Sequence, residues 1–481
     1  MLCFLNERSP MGHIVPDHGR VVQSGLKKLI EDCRRLSAAS LQSKAFYDSV
    51  VISLEGVITY AFRYADRVDE TIARLERDDP RRNTLCEMAV RLRRVPAEPS
   101  ETFADALQAI LIMHCALHWT VEVVPLGRLD QILFPFYKRD LESGILTRQQ
   151  GQELIDAFWI KLDERVILNY RHAENRFTAA DGVLTGFLGA SNYDQGGLLN
   201  QWMQQITIGG VLPDDTEIPT DACNEVTKLC LEAARRLPLN SPTLDLRLHR
   251  GTPHSILEMA ARTLMSGGAH PVLLCDERIV PGLSEHAGKP VPLRTARNYA
   301  CDGCYETMFA GETEFSFGYV PALAVVEQTL NRGSGFAGAG AMNLCGDKLS
   351  WRTPEARDLK TWEQLWCVLV DHIMLGCHRY LSSLLANYGN KEDIAPSPLL
   401  SALISGCLER GRDLVAGGAN YRIFSPLMTG ISSATDSLYA IKTLAYDRQS
   451  FTLDELVTCL ATDWGAKLIG PEDRKQPAFG T

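Results

Sequence analysis

The sequence lacks the features that mark disulfide scaffolds, nucleic-acid binders and membrane proteins. Its fourteen cysteines among 481 residues fall well below the roughly 8–10% typical of a disulfide scaffold, so reduced thiols in a cytoplasm are expected. With 49 basic against 59 acidic residues, the net charge of −10 argues against nucleic acid and anionic membranes as partners. The N-terminus lacks the apolar region of a signal peptide. The most apolar stretch, residues 106–124, is broken by polar side chains and predicts a buried helix.

Apolar residues make up 45% of the chain, which predicts a large buried core. The length fits more than one ordinary domain, or one large α/β barrel. The first 95 residues are predicted to be helical, because apolar side chains recur at helical spacing over residues 46–68. Pro80 stops the continuation, and Ser100 or Thr102 is placed to cap the next helix.

The middle of the chain changes to short strands. Residues 206–208 form a β-rich run halted by two glycines, and residues 243–248 alternate as a strand does. An amphipathic stretch over residues 255–266 and an apolar run at 271–276 follow. Strand, helix and strand in this order predict a parallel α/β arrangement, in which ligands gather at the carboxyl ends of the strands. The last third is predicted to be helical at residues 361–384, 399–414 and 434–446, and Thr452 to cap a helix through Leu460.

The segment over residues 296–319, ARNYACDGCYETMFAGETEFSFGY, concentrates the candidates for chemistry. If residues 303–306 are extended, Cys304 and Glu306 point to the same side, and a thiol and a carboxylate share one pocket wall. Spacing alone leaves four interpretations open. The cysteines could be inert core residues, a partial zinc site with only two of about four ligands, or a CxxC redox pair. Cys304 could also be a nucleophile paired with His249 or His270.

The string NYACDGCYE resembles the active-site cysteine loop of the glycyl radical enzymes, the family of pyruvate formate-lyase and of the glycerol- and choline-type lyases. Further stretches are similar in the same order: GRLDQ at 127–131, ITIGG at 206–210, PTLDLRLH, LLCDERIVPGL at 273–283, and GCLERGRDLVAGGANY and ATDSLYAIKTL in the late helical part. The resemblance therefore runs nearly end to end.

The resemblance implies a ten-stranded α/β barrel surrounded by helices and enclosing two opposed loops. The whole chain, 1–481, is then barrel core: a helical part at 1–95, strands and the cysteine loop at 96–350, and a late helical part at 351–481. In the family, a glycyl radical is installed by a separate iron–sulfur, S-adenosylmethionine activating enzyme. By position, Cys304 would be the thiyl residue, and Glu306 would take a substrate proton. No bound cofactor and no metal are expected.

The family's glycyl motif, approximately R-V-x-G-Y/F, has no counterpart in the sequence, and the similarity fades after Leu460. We therefore expect a barrel that is incomplete at both ends and lacks the C-terminal glycyl radical domain. Either a separate glycyl-bearing subunit completes the enzyme, or the chain is an inactive gene fragment or binding remnant. The expected partners are the activating enzyme, that subunit and a small polar substrate cleaved at a C–O, C–N, C–S or C–C bond; a homodimer is compatible with them.

Details of the loop refine these expectations. Glu306 speaks against pyruvate formate-lyase itself, and residues 316–318, Ser-Phe-Gly, replace a Trp-His-Asp typical of dehydrating and choline-cleaving members, which argues against diol dehydration. Phe315 and Phe317 would form an aromatic wall of the substrate pocket or simply pack in the core. Asp276 and His13 are the other substrate-binding candidates. Arg128 and Asp130 are expected to form a structural ion pair. A thiol hydrolase using Cys304 is the remaining alternative.

Overall fold

The structure, a computed structural model, describes residues 13–118, 120, 123–164, 204–239, 241–267, 270–286, 290–303, 305–336, 350–388 and 396–462. The chain forms two compact units. The first contains Met1–Ser316 and Gly389–Ile423, and the second contains Phe317–Tyr388 and Phe424–Thr481.

The N-terminal part is helical, as the periodicity predicts. Its helices are α1 (His18–Ala39, interrupted at Gly25), α2 (Lys44–Arg74), α3 (Arg81–Arg94) and α4 (Phe103–Leu117). Thr102 caps α4 in a reciprocal capping box with Asp105, which confirms the predicted helix start. Helix α2 is long and apolar enough to pass a test for a membrane span, but core helices of soluble proteins pass the same test. Its apolar stripe, including Leu54 and Ala65, is buried against neighbouring helices.

The described part of the first unit contains a parallel sheet of four short strands in the order β1 (Gly127–Arg128), β2 (Ile206–Gly209), β3 (Leu244–Leu248) and β4 (Val272–Cys275). Helices α5 (Leu129–Glu142) and α6 (Arg148–Asp163) follow β1, α7 (Glu225–Arg236) follows β2, and α8 (His254–Met265) connects β3 to β4. Strands β3 and β4 pair in parallel with Asp245 opposite Val272. The predicted strand–helix–strand unit and parallel α/β arrangement are therefore confirmed.

The chain continues through α9 (Asp276–His286) and α10 (Leu293–Arg297) into an antiparallel hairpin of β5 (Tyr299–Asp302) and β6 (Glu306–Phe309). The remaining elements are β7 (Thr313–Pro321), α11 (Ala322–Leu330), a 3₁₀ turn (Ala356–Asp358), α12 (Trp362–Tyr388), α13 (Pro398–Ser401), α14 (Cys407–Arg410), a 3₁₀ turn (Leu414–Ala416), β8 (Tyr421–Thr429), α15 (Ile431–Ile441), a π-helical turn (Lys442–Asp447) and α16 (Leu453–Ala461). Strands β7 and β8 pair with each other.

One predicted helix is wrong. Residues 399–414 have an amphipathic pattern, but they form only α13 and α14 with turns between and after them. Gly406 directly precedes α14 and Gly411 ends it, and both have positive φ, 97° and 62°, which a continuous right-handed helix does not allow. A side chain at Gly406 would also meet the carbonyl oxygen of Gly418 at 2.6 Å. The glycines therefore override the periodicity of the apolar residues.

The two faces of the parallel sheet differ in chemistry. Ile206, Ile208, Leu244 and Leu246 alternate onto one face and belong to the main apolar core, which also includes residues of α4 to α8. The other face carries Thr207, Asp245 and Arg247, all fully buried. Alternation along each strand places these polar side chains together, so the sheet has one face for the helices and one buried polar face.

Candidate active site

The site is built on the hairpin of β5 and β6. Asp302 pairs with Glu306 in the antiparallel register, so the chain reverses between them. Gly303 and Tyr305 both have left-handed backbone angles, with φ of 55° and 76°. The extended backbone considered for residues 303–306 is therefore wrong, because a tight reversal needs positive φ values. Cys304 lies outside the residues that the structure describes.

The register brings two carboxyl groups face to face. Residues directly opposite in an antiparallel pair project to the same side, with Cβ atoms about 4.5–5.5 Å apart. The side chains of Asp302 and Glu306 are 0% and 3% exposed. The Gly303 amide donates to the Asp302 carboxyl group, whereas neither carboxyl oxygen of Glu306 has a hydrogen-bond partner among the described residues. Two like-charged side chains in this position repel each other unless a proton or a cation lies between them.

His13 lies against both carboxyl groups. Its Nδ1 atom is 3.9 Å from Oδ2 of Asp302 and 3.7 Å from Oε2 of Glu306. The ring of Phe315 stacks on the imidazole, with centroids 6.2 Å apart and an angle of 28° between the planes. Three of the residues predicted from the sequence, His13, Glu306 and Phe315, are thus brought together, although their substrate-binding and catalytic roles stay predictions.

The backbone explains how His13 reaches the hairpin. The His13 amide donates to Val123 O at 3.0 Å, and the Gly311 amide after the hairpin donates to Val15 O at 2.9 Å. A side chain on Gly303 would clash with the imidazole and come within 2.7 Å of Glu306 Oε2. Only glycine therefore allows the turn and the histidine to occupy adjoining space.

The polar face of the sheet adds a third carboxyl group. Thr207 and Asp245 are register partners on β2 and β3, and the Thr207 hydroxyl donates to Asp245 Oδ2 at 3.5 Å. The Cys301 amide donates to the same hydroxyl at 3.1 Å. One threonine hydroxyl therefore joins the Asp245 carboxyl group to the strand that carries Asp302.

Burial controls the electrostatics of these groups. Desolvation raises the pKa of Asp245 to about 8, and the nearby Gln205 amide and Thr207 hydroxyl offset only part of this rise. The pKa of Asp302 is raised well above its ordinary value, mainly by desolvation and further by the charges of Glu306 and Asp245. Burial likewise raises the pKa of the Cys301 thiol, which suits an inert thiol better than a nucleophile.

Asp276 belongs to a separate buried network. Its carboxylate accepts two hydrogen bonds from Arg247, at 3.0 and 2.9 Å, one from the Tyr299 hydroxyl at 2.7 Å and one from the Val211 amide at 3.1 Å. The Arg247 guanidinium also lies 3.8 Å from the centre of the Tyr299 ring. This network ties β3 to the start of α9 and to β5. A contact between Asp276 and substrate stays a prediction.

Arg128 and Asp130 are predicted to pair with each other, but their hydrogen bonds are mainly to other residues. Arg128 donates to the carbonyl oxygens of Arg297, Gly209 and Val211, and burial followed by the charge of Arg247 lowers its pKa to about 9. Asp130 accepts from the Gly209 amide and the Thr227 hydroxyl. These contacts join the sheet to α7 and α10.

Other predicted residues lie apart or cannot be placed. The side chain of Phe317 lies outside the described residues. His249 pairs with Asp221 at 2.9 Å, and burial lowers the pKa of His270; a pairing of either with Cys304 stays a prediction. In the described ranges, no group of three or more His, Cys, Asp and Glu side chains is arranged to hold a metal ion.

Sequence reasoning missed Asp245 and Asp302 as members of the site. A signal was present for Asp245, because the alternating string TLDLRL places Asp245 and Arg247 on one face of a strand within an otherwise apolar segment. Two ionisable residues on the same face of a buried strand indicate a polar cavity or network on that side. Asp302 had no comparable signal, since its position opposite Glu306 depends on the turn.

Comparisons with known proteins cover almost the whole chain. The family model described as pyruvate formate lyase-like matches residues 2–480. The isethionate sulfite-lyase of Desulfovibrio desulfuricans is 27% identical over 97% of this chain and 54% of that protein. The trans-4-hydroxy-L-proline dehydratase of Clostridioides difficile is 28% identical over 91% of this chain and 52% of that protein.

Solved structures agree with these relatives. The hydroxyproline dehydratase of Clostridioides difficile, with trans-4-hydroxy-L-proline bound, superposes with a TM-score of 0.77 at 26% identity, covering 96% of this chain and 56% of that one. A structure concerned with 1,2-propanediol dehydration in Roseburia inulinivorans gives the same TM-score at 26% identity, covering 97% and 55%. The chain spans about half the length of the relatives it matches.

Proposed function

Because the chain belongs to the pyruvate formate lyase-like family, we propose that it is the catalytic barrel segment of a glycyl radical lyase. Cys304, as a thiyl radical, removes a hydrogen atom from a small polar substrate, and a C–O, C–N, C–S or C–C bond of the substrate then breaks. The glycyl radical that oxidises the thiol is supplied by another chain, after installation by an S-adenosylmethionine iron–sulfur activating enzyme. The relatives, dehydratases and a sulfite-lyase by name, support this reaction class.

The observation that carries the proposal is the buried carboxyl group of Glu306 on the hairpin that contains the NYACDGCYE string. Glu306 is 7% exposed, opposite Asp302 and 3.7 Å from His13. A substrate radical next to a hydroxyl group makes that O–H more acidic, and a carboxylate within about 3 Å can accept its proton. Glu306 therefore acts as the base, and the enclosing protein keeps water from the radical.

The architecture proposed with this function is the ten-stranded α/β barrel of the family. The four parallel strands β1 to β4, with helices on one face and buried polar side chains on the other, support it, because the inner face of a barrel that holds a ligand carries polar groups. We place the reaction in the cytoplasm, where the free thiols stay reduced.

The test is an anaerobic reconstitution. The chain is mixed with an activating enzyme and a candidate glycyl-bearing chain, and electron paramagnetic resonance is used to detect an organic radical while substrate consumption is followed. Turnover together with a glycyl signal is expected. Cys304→Ala should keep the glycyl signal and abolish turnover, since the thiol is the only group assigned to hydrogen abstraction.

Glu306→Gln separates proton transfer from radical formation. We expect it to keep the glycyl signal and to lower turnover by about 10²–10⁴-fold, the usual contribution of a general base. Glu142→Gln, on an exposed carboxyl group of α5, is the matched control and should turn over as the unmodified chain does. A glycyl signal without turnover for any substrate would indicate an inactive remnant, and aerobic activity blocked by thiol alkylation would indicate a hydrolase instead.

A further inference from the structure

We propose that the outer face of helix α12 is the docking surface for the glycyl-bearing chain, and that an apolar helix of that chain packs against it. This inference rests on the proposed function for the identity of the partner. Its evidence is a row of exposed apolar side chains on α12. Neither the core of the second unit nor the chemistry assigned to Cys304 and Glu306 uses these side chains.

Helix α12 has two apolar faces. Its inner face includes Leu365 and Leu369, which are buried in the core of the second unit. Its outer face has five apolar side chains at exposed positions: Cys367, Val370, Met374, Leu381 and Leu385. At 3.6 residues per turn, these five positions fall within about 60° around the helix axis and extend about 27 Å along it. We call these five residues the outer stripe.

The outer stripe differs from the exposed face of an ordinary surface helix. A surface helix normally has polar residues opposite its core-facing side, whereas a helix that is apolar all round is buried. Met374 and Leu385 are each 62% exposed, and His378 is the polar residue on the same side of the helix between them. Single exposed apolar residues such as Ile52 on α2 are normal, but a contiguous apolar patch marks an interaction site.

The comparisons indicate what covers the outer stripe. This chain matches its relatives over almost its whole length but spans only about half of theirs, in sequence and in structure. A longer chain buries a larger fraction of its surface, so part of the surface that faces solvent here is interior in the complete family fold. A chain that supplies the unmatched part of that fold is therefore a partner of the right kind for the outer stripe.

Charge favours this partner over a second copy or a lipid surface. Glu363 and Asp371 lie at exposed positions of α12, and anionic lipids attract basic rather than acidic side chains. Each chain has a net charge of −10, and like net charges oppose the association of two copies. Apolar side chains spaced three or four residues apart form ridges that another helix packs against. The partner segment is thus an apolar helix with basic side chains near Asp371.

Cys367 reports directly whether the outer stripe is covered. Cys367 and Cys86 are both exposed, and Cys86 lies on α3 of the first unit, so it is the matched control. Labelling with N-ethylmaleimide, measured on peptides by mass spectrometry, compares the two thiols in the chain alone and with the candidate glycyl-bearing chain used in the reconstitution. With that chain at about ten times its Kd, labelling of Cys367 should slow about tenfold, and labelling of Cys86 should not change.

Two substitutions of exposed apolar side chains test the same surface by affinity. Met374→Glu places a charge in an interface from which water is excluded, so we expect it to weaken association by at least about tenfold. Ile52→Glu, on α2, should leave the affinity unchanged. Sedimentation velocity measures both. If Met374→Glu does not fold, the labelling of the unmodified chain still decides.

The outcomes separate the docking surface from the reaction. Protection of Cys367 without turnover supports the docking surface and counts only against the proposed reaction. Turnover with Cys367 labelled as fast as in the chain alone overturns the docking surface and leaves the reaction standing. Protection of Cys367 that grows with the concentration of the chain alone identifies a second copy as the occupant and overturns the proposal, as does the absence of any association with the glycyl-bearing chain.

Discussion

Asp245 shows how the surroundings of one residue bear on stability. Its carboxyl group lies on β3 and is fully buried, and burial favours the neutral form. Desolvation raises its pKa from 3.8 to about 8. Its polar and ionisable neighbours are Thr207, Gln205, Cys301 and Asp302. The folded chain therefore keeps a proton on this group over a pH range in which the unfolded chain has lost it.

The sign of the resulting pH dependence follows from proton linkage. Between about pH 4 and pH 8 the folded state binds one more proton at Asp245 than the unfolded state, so the free energy of unfolding falls as pH rises, by at most about 1.4 kcal/mol per unit. Asp245→Asn removes this term. We expect its stability relative to the unmodified chain to increase steadily with pH, as measured by urea unfolding at several pH values. If the free energies of unfolding of the two proteins change with pH in the same way, the pKa of Asp245 is the same in the folded and unfolded states.

At the scale of elements, the β5–β6 hairpin depends on one glycine. Gly303 has a φ of 55°, and an added methyl group would collide with the His13 ring and approach Glu306. Gly303→Ala should therefore lose about 1–2 kcal/mol from the left-handed backbone, with a further loss from the collision. Thermal unfolding measures the loss, and the histidine signals in a nuclear magnetic resonance spectrum should report displacement of His13.

Gly144 supplies the matched control for that substitution. It has a similar φ of 72° but open space around a Cβ atom, so Gly144→Ala carries the backbone strain without the collision. The difference in stability between the two variants isolates the clash at the hairpin. If both lose the same stability and the histidine signals stay in place, His13 is not packed against the turn.

The sequence predicts elements well where the signal is local. The β3–α8–β4 unit follows from alternation and periodicity, and the caps at Thr102 and Thr452 depend on residues only three positions apart. The site itself is not local. His13 and Glu306 lie close together in space although they are far apart in the sequence. Asp302 faces Glu306 only because residues 303 and 305 take positive φ. Neither fact can be obtained from spacing in the sequence, although the family resemblance identifies Glu306.

At the scale of the whole molecule, each compact unit has its own apolar core. In the first, buried side chains of the sheet such as Leu246 belong to one cluster with residues of α4 to α8. In the second, Leu365 on α12 belongs to a cluster with residues of α11, α15 and α16. The two apolar clusters share no residue. Each unit can therefore unfold locally without the other, because local unfolding follows contiguous packed regions.

A pair of equivalent core substitutions tests this separation. Leu246→Ala and Leu365→Ala each remove a fully buried side chain and should each cost about 2–5 kcal/mol. Hydrogen exchange should then rise in α11 and α12 for Leu365→Ala while β2 to β4 keep their protection, with the reverse for Leu246→Ala. His13, Asp302 and Glu306 lie in the first unit, so substrate turnover in the anaerobic reconstitution should fall mainly for Leu246→Ala. Loss of protection throughout the chain in both variants would mean that the two cores unfold as one cooperative structure.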